Sequence, residues 1–467
     1  MALVIHNTLT GKGEIFKKSK KPLKLFVCGP TVYGPAHIGH ARVEIVFDVF
    51  VRYARDAGYR LTYIQNITDV DDKIIAKAHE EGIAPLAFAR QWEKEYLLAM
   101  KDLRVTSVDR RARASSFIKE IQEQIARLIA KGFAYETSSG VYFEVRKFAD
   151  YGKLSKQDLD AVRHHYRIDP DPEKKDPLDF AVWKRVKAGE NISWKSPWGE
   201  GRPGWHIEDT AITEKLLGQQ YDIHGGGLDL KFPHHESEIA QQEAASGKKP
   251  FVRVWMHVGL VMTVKGEKMS KSLKNTLTIA EFLKKNSVDV LRFMFMSAHY
   301  HSPINYSAGV VAQSAAALVT IHEFLGKLDF IAITGKAGTV ARPVATAIAK
   351  CERAWSAAMD DDFNTPQAIG ALFSFMNGHG ASLWSISRAE AAAERSFLLK
   401  KLAIFGLVFK VQAASVAAKT LLRKREIARI GGDFKSADAV RKEIESLGYA
   451  VEDTPIGPHL VLLKTNN

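Results

Sequence analysis

The chain has 467 residues, of which 46% are hydrophobic, 25% charged and 10% aromatic, and it carries a net charge of +13. This length exceeds one compact core and predicts roughly three to four domains. No stretch approaches the ~20 apolar residues that cross a bilayer, and "MALVIHNTLTGKGEIF" lacks the apolar heart of a signal peptide, so the expectation is a cytoplasmic protein with no membrane partner. The positive charge favours a polyanionic partner, nucleic acid first, and is equally compatible with general solubility. Two distant cysteines, Cys28 and Cys351, give no sign of a disulfide framework.

In chain order, Lys24–Cys28 reads as a buried strand. It feeds through a Gly- and Pro-rich turn into a helix from about Ile38 to Gly58, whose Val43, Val46, Phe47, Phe50 and Val51 share one face. Arg60–Asn66 reads as a second strand, and strand, helix, strand at this spacing opens a doubly wound α/β domain. Segments from about 86 to 131 read as helical, Gly132–Val145 as a hairpin around "SSG", and Arg167–Lys175 as a charged loop. Short strands are expected at Tyr221–Ile223 and Phe251–Trp255, with a helix near Glu236–Ser246 between them. From about 279 onward helical patterns fill 308–327, 342–360 and 366–407. A small unit from about 418 then reads as a basic helix, a second helix and a β pair. There are no internal repeats.

Two motifs carry chemistry. His37-Ile38-Gly39-His40 falls where a strand hands over to a helix N-terminus, a place that suits anions; two imidazoles there add donors for charge developing on a phosphoryl group. Gly39 permits close approach of a nucleotide. A pair of surface histidines at a helix start is the plainer reading. Lys268-Met269-Ser270-Lys271-Ser272 has the composition of a mobile loop pairing with a triphosphate, or of an exposed basic loop.

In this order the two motifs resemble the paired signatures of class I aminoacyl-tRNA synthetases. "FVCGPTVYGPAHIGHAR", "NITDVDDKI", "GRPGWHIED", "YDIHGGGLDLKFPHHESEIAQ", "GEKMSKSLKN" and "DDDFNTP" resemble the cysteinyl-tRNA synthetase family, and the likeness runs through nearly the whole chain. It implies that cysteine is joined to ATP as cysteinyl-adenylate and then transferred to the 3′ end of tRNA(Cys). It implies an α/β, Rossmann-like, doubly wound catalytic domain (1–110 and 201–300) split by an inserted subdomain (111–200). A helical bundle that braces tRNA (301–410) and a small mixed C-terminal domain on the anticodon side (411–467) follow. The partners implied are tRNA(Cys), L-cysteine and ATP with Mg²⁺, and a monomer is expected.

In that family the thiol is a zinc ligand, and the zinc binds the sulfur of the substrate. One Zn²⁺ per chain is implied, and the four ligand positions fall on Cys28, Asp209, His234 and Glu238. His234 and Glu238 are four apart, so on a helix both face one way. The family has a cysteine where Asp209 stands; a carboxylate keeps the ligand charge and makes the shell harder. A thiolate ligates zinc far better than a hydroxyl, which would let one metal reject serine without an editing site. Taken singly, Cys28 also fits a buried structural thiol and Asp209 a helix cap. His235 is set aside for His234 only because the family pattern places the ligand there.

The resemblance also puts His37 and His40 near the α-phosphate and Lys268 and Lys271 on the leaving pyrophosphate. Gly226, Gly227 and Asp229 in "HGGGLD" resemble the part that holds adenosine. Thr68, Trp205 and His206 resemble the amino-acid pocket, although Trp205 fits a core equally well. Asp69, Asp71 and Asp72 read better as helix-start charge than as a metal cluster. Lys419, Arg423, Lys424, Arg425 and Arg429 suit phosphate contact or a solvated helix face. Two other readings differ by test: a ligase joining cysteine to an amino-sugar would lack the full C-terminal region, and a silent RNA-binding relative would lack intact histidine and lysine motifs.

Overall fold

A computed structural model describes every residue except 1, 158–170, 188, 264–265, 268, 270–275, 410–413 and 464–467. Part of the expected loop at Arg167–Lys175 therefore lies outside the described residues. The chain forms two compact units: Met1–Phe282 with Ala298–Tyr306 and Asp360–Phe363, and Leu283–Ser297 with Ser307–Met359 and Asn364–Asn467.

The first unit is built on five parallel strands in the spatial order Val252–Val258, Tyr221–Gly227, Leu23–Val27, Leu61–Ile67, Arg110–Arg113. From Leu23–Val27 the chain steps outward twice in one direction, then returns to add two strands on the other side. That reversal makes Leu23–Val27 and Tyr221–Gly227 the switch point of a doubly wound sheet, and a crevice opens at their carboxyl ends. Apolar runs build these strands because the central ones are covered on both faces; Leu25, Phe26 and Val27 are fully buried. The helix that follows, Ile38–Asp56, buries Ile45, Val46, Phe47, Val49, Phe50 and Val51, each contributing roughly 1.5–3 kcal/mol of apolar burial. It ends just before Gly58, whose φ of 88° a side chain would strain.

The helical expectation for 86–131 needs correction. Two helices, Pro85–Asp102 and Ile118–Ala130, flank the strand Arg110–Arg113. Three of its four residues are arginines and only Ala112 is buried. Backbone pairing with Ile64–Ile67 makes it an edge strand, where side-chain pattern carries little signal.

The hairpin Ala134–Thr137 with Gly140–Phe143 gains two strands that the sequence reading missed, Phe180–Arg185 and Gly201–Pro203, giving a four-stranded antiparallel sheet. Phe143 and Phe180 stack at 5.0 Å across it. Asp72, at the start of the helix Asp72–Glu81, ties this sheet down through Lys184 at 2.6 Å and through Arg202. The two short strands expected near 221 and 251 are longer, seven residues each.

The second unit holds the helices Val288–Met296, Ala308–Thr334, Arg342–Asp360, Thr365–Asn377 and Arg388–Ile404. The helical pattern across 366–407 resolves into two α-helices: a 3₁₀ turn at Gly380–Ser385 separates them, and a Ser387/Glu390 capping box starts the second. The helices Val416–Ile430 and Phe434–Ser446 pack with the hairpin Tyr449–Thr454/Gly457–Leu462 around Ala418, Val440, Ile444, Tyr449 and Val451. Arg425 is only 4% exposed and grips both oxygens of Asp453 at 2.8 Å, and Arg429 joins at 2.7 Å. Two of the five cations weighed for phosphate contact or a solvated helix face, Arg425 and Arg429, are thus paired with Asp453.

Candidate active site and metal cluster

A cavity of about 920 Å³ occupies the switch-point crevice of the first unit. Cys28, Asp209 and His234 line one part of it, and His37, Gly39 and His40 another; Trp205, Gly227 and Asp229 also line it. Cys28 is held there by sheet continuation, its N–H donating to Gly225 O at 3.0 Å.

His37 caps the helix Ile38–Asp56. Its Nδ1 accepts from Gly39 N at 3.1 Å, and His40 Nδ1 accepts from His37 N at 3.3 Å. Both Nδ1 atoms are acceptors, so in a neutral imidazole the ring proton sits on Nε2. The rings stack at 3.8 Å. A methyl group on Gly39 would meet the His37 ring at 2.9 Å, so glycine here preserves the cap. Ile38 N donates to Leu277 O and Ile279 N to Ala36 O, both at 3.0 Å. Lys268 and Lys271 lie outside the described residues; their described neighbours Met269 and Thr276 line the cavity.

Cys28, Asp209, His234 and Glu238 converge, with one ligand atom from each within 4.8 Å of the others, and all four are buried. His234 Nε2 stands 3.1 Å from Asp209 Oδ2 and 3.1 Å from Glu238 Oε1. Cys28 Sγ is 3.4 Å from Asp209 Oδ2 and 3.9 Å from Glu238 Oε1. Burial, then Glu238 and Asp209, drive the Cys28 thiol well above its ordinary pKa, and burial and Asp209 do the same to Glu238. Glu238 Oε2 is buried and has no hydrogen-bond partner among the described residues, with His224 Nδ1 3.6 Å away. Three acidic donors packed this way repel one another; a divalent cation removes that repulsion and favours their ionised forms. The donor set therefore fits a metal ion.

The positions of the donors are fixed from behind. Asn66 Nδ2 donates to Asp209 Oδ1 at 2.5 Å. His206 Nδ1 meets His234 Nδ1 at 2.8 Å, and Trp205 stacks on His234 at 4.2 Å. Burial, then His234, lowers the His206 pKa far below normal, which keeps that ring neutral. A second group shares two donors: His224 Nε2 and His235 Nε2 approach Cys28 Sγ at 3.3 and 3.1 Å, completing Cys28, His224, His235 and Glu238. The sequence reading missed Asn66 and His224 and set His235 aside; the pairs "QN" and "HH" were the available signal. Only the first group has three members on the cavity wall.

Thr68, His206, Gly226 and Glu238 are not lining residues. Thr68 accepts from Asn66 Nδ2 at 3.2 Å. Gly226 gives room to His235, whose ring a methyl group would meet at 2.9 Å. Asp71 caps its helix by accepting from Lys73 N at 2.8 Å, and buried Asp69 holds Ser115 N at 2.9 Å, both structural uses.

Comparison with known proteins agrees with this geometry. Residues 15–316 match the family model of the class I (C) tRNA synthetase catalytic domain, 354–410 a DALR domain, and 412–457 the cysteinyl-tRNA ligase anticodon binding domain. The chain is 42% identical to a cysteine–tRNA ligase of Persephonella marina, covering 98% of this chain and 99% of that protein. It is 43% identical to one of Coxiella burnetii, with 98% and 99% covered. Among solved structures, a methionyl-tRNA synthetase of Mycobacterium tuberculosis shares the fold with a TM-score of 0.60 at 18% identity, over 82% of this chain and 89% of that one. A leucyl-tRNA synthetase of Agrobacterium radiobacter does so with 0.62 at 12% identity, over 82% and 83%. A switch-point crevice flanked by paired histidines, together with near full-length identity above 40%, leads to one assignment: the chain belongs to the cysteine–tRNA ligase family of class I aminoacyl-tRNA synthetases.

Proposed function

We propose that this chain activates L-cysteine with ATP to cysteinyl-adenylate and transfers it to the 3′ end of tRNA(Cys). The observation that carries this is the shared cavity: a thiol, carboxylate and imidazole cluster on one wall, with the paired histidines of a helix start on another. Attack of the cysteine carboxylate on the α-phosphorus forms a mixed anhydride and expels pyrophosphate. His37 and His40 donate from Nε2 to the phosphoryl oxygens as negative charge concentrates there. Lys268 and Lys271 neutralise the leaving pyrophosphate, and Mg²⁺ arrives with ATP. Gly226, Gly227 and Asp229 hold the adenosine, with the Asp229 carboxylate on the ribose hydroxyls. No covalent enzyme intermediate forms; positioning and charge stabilisation carry the reaction.

Zn²⁺ is the ion proposed for Cys28, Asp209, His234 and Glu238, which would hold it; bound there, it would supply a Lewis-acid contact that favours a thiolate over a serine hydroxyl. Trp205 and His206 fix the His234 ring, and Thr68 supports Asp209 through Asn66. The helical region braces tRNA and the C-terminal domain meets its anticodon side. Action as a monomer is part of the proposal. Two buried free thiols suit the reducing cytoplasm, and among the described residues no helix is long and apolar enough to cross a membrane.

The test is charging of total tRNA with labelled cysteine, with serine as the control. Cysteine-specific charging is the expected result. Cysteine-dependent ATP–pyrophosphate exchange without any charging would instead identify a small-molecule cysteine ligase.

A further inference from the structure

We propose that the first unit carries a second metal site, formed by His299, His301 and Asp362 and suited to a divalent first-row transition ion. One ligand atom from each residue lies within 4.8 Å of the others. Asp362 Oδ2 faces His299 Nε2 at 3.6 Å and His301 Nε2 at 3.5 Å. These separations are long for N–H···O hydrogen bonds, which run about 2.7–3.2 Å. They match the donor-to-donor spacing of roughly 3.3 Å that tetrahedral bonds of 2.0–2.1 Å impose.

The carboxylate is oriented for the task. Its other oxygen, Oδ1, accepts from His6 N at 2.8 Å and from the Tyr300 hydroxyl at 2.7 Å, which turns Oδ2 toward the imidazoles. The backbone is held as well: Asp362 N donates to Val4 O at 3.0 Å, and Asp362 adopts a φ of 52°. Two imidazoles and one carboxylate leave coordination positions for water. The His301 side chain is 48% exposed and the other two about 20%, so an ion enters from solvent. The ligands come from two separate stretches of chain, 298–306 and 360–363, which a bound ion would clamp together, while Asp362 is hydrogen-bonded to a third, 3–7. It uses none of the residues that line the cavity, and it is independent of the metal proposed for the Cys28 cluster.

The experiment is equilibrium dialysis of the full-length, chelator-treated protein against Zn²⁺, read by elemental analysis, for the unaltered chain, His301→Ala, Asp362→Asn and Cys28→Ser. The expected result is one equivalent fewer in His301→Ala than in the unaltered chain, or a weakening of that equivalent by at least about tenfold. Asp362→Asn, which keeps an acceptor for His6 N and Tyr300, should show the same loss. If the Cys28 cluster takes no zinc, the unaltered chain binds one equivalent and His301→Ala none, so the two ideas fail separately. In the Cys28→Ser background, Zn²⁺ should raise the melting temperature, and adding His301→Ala should abolish that rise. Equal stoichiometry and affinity in the unaltered chain and His301→Ala would overturn the proposal and leave the three groups as ion pairs only.

Discussion

In the proposed zinc site, Asp209 would set the hardness of the ligand shell. Asn66 holds its Oδ1, so Oδ2 is the atom presented to His234 and Cys28. Asp209→Asn keeps the size and removes the charge. The expected outcome is a loss of zinc affinity of at least about tenfold, roughly 1.4 kcal/mol, in chelator competition. The KM for cysteine in pyrophosphate exchange should rise with it, while that for ATP stays level. Unchanged zinc affinity would take Asp209 out of the shell and favour the donors His224 and His235. His37 separates a structural role from a chemical one. Its ring caps the helix, and asparagine caps as well, so His37→Asn should keep stability while adenylate formation falls about 10²-fold. His37→Ala should lose the same activity and also about 1 kcal/mol of stability in denaturant unfolding. Full activity in His37→Asn would assign the ring to the cap alone.

Elements differ in how much of themselves they write into sequence. The strand, turn and helix around Cys28 were legible because an apolar run, a Gly- and Pro-rich turn and a 3.6-residue period coincide there. That Cys28, Asp209, His234 and Glu238 converge was expected only through resemblance: Cys28 and Asp209 stand 181 positions apart, and spacing alone carries no signal over that distance. Arg110–Arg113 and Phe180–Arg185 were missed because distant partners, not their own pattern, make them strands. The same limit hid Arg425, which looks in sequence like one more exposed cation of a basic helix and is buried against Asp453. Hydrogen bonds from Arg425, then Arg429, depress the Asp453 pKa to about 2 from its ordinary 3.8. A depressed folded-state pKa means that the stabilisation is present above about pH 4 and is lost as pH falls toward 2. Asp453 is nearly half exposed, so solvent screening keeps the effect below about 1 kcal/mol. Asp453→Asn should lower the melting temperature slightly at neutral pH and leave no difference from the unaltered chain near pH 2; an equal deficit at both would show that the pair contributes nothing through charge.

At the scale of the whole molecule, the two steps of the reaction place different demands on the chain. The cavity, the His37–His40 helix start and the metal cluster all belong to the first unit. On the proposed assignment, adenylate formation would therefore use small ligands and one unit. Transfer needs a polyanion, and the chain meets it with a net charge of +13 and a C-terminal stretch matching an anticodon binding domain. Each phosphate neutralised on binding releases counterions, so affinity for tRNA should fall steeply with salt, with a log–log slope of about −0.7 to −0.9 per contact. The KM for tRNA should accordingly climb between 50 and 200 mM salt (about tenfold or more if several phosphates are contacted), while cysteine-dependent pyrophosphate exchange changes by less than about threefold. Removing residues 412–467 should give the same separation at fixed salt, because their core of Ala418, Val440, Ile444, Tyr449 and Val451 is their own. Exchange should survive and charging should fall by more than about tenfold. If exchange and charging fell together, activation would depend on the C-terminal domain, and the division of labour between the two units would be wrong.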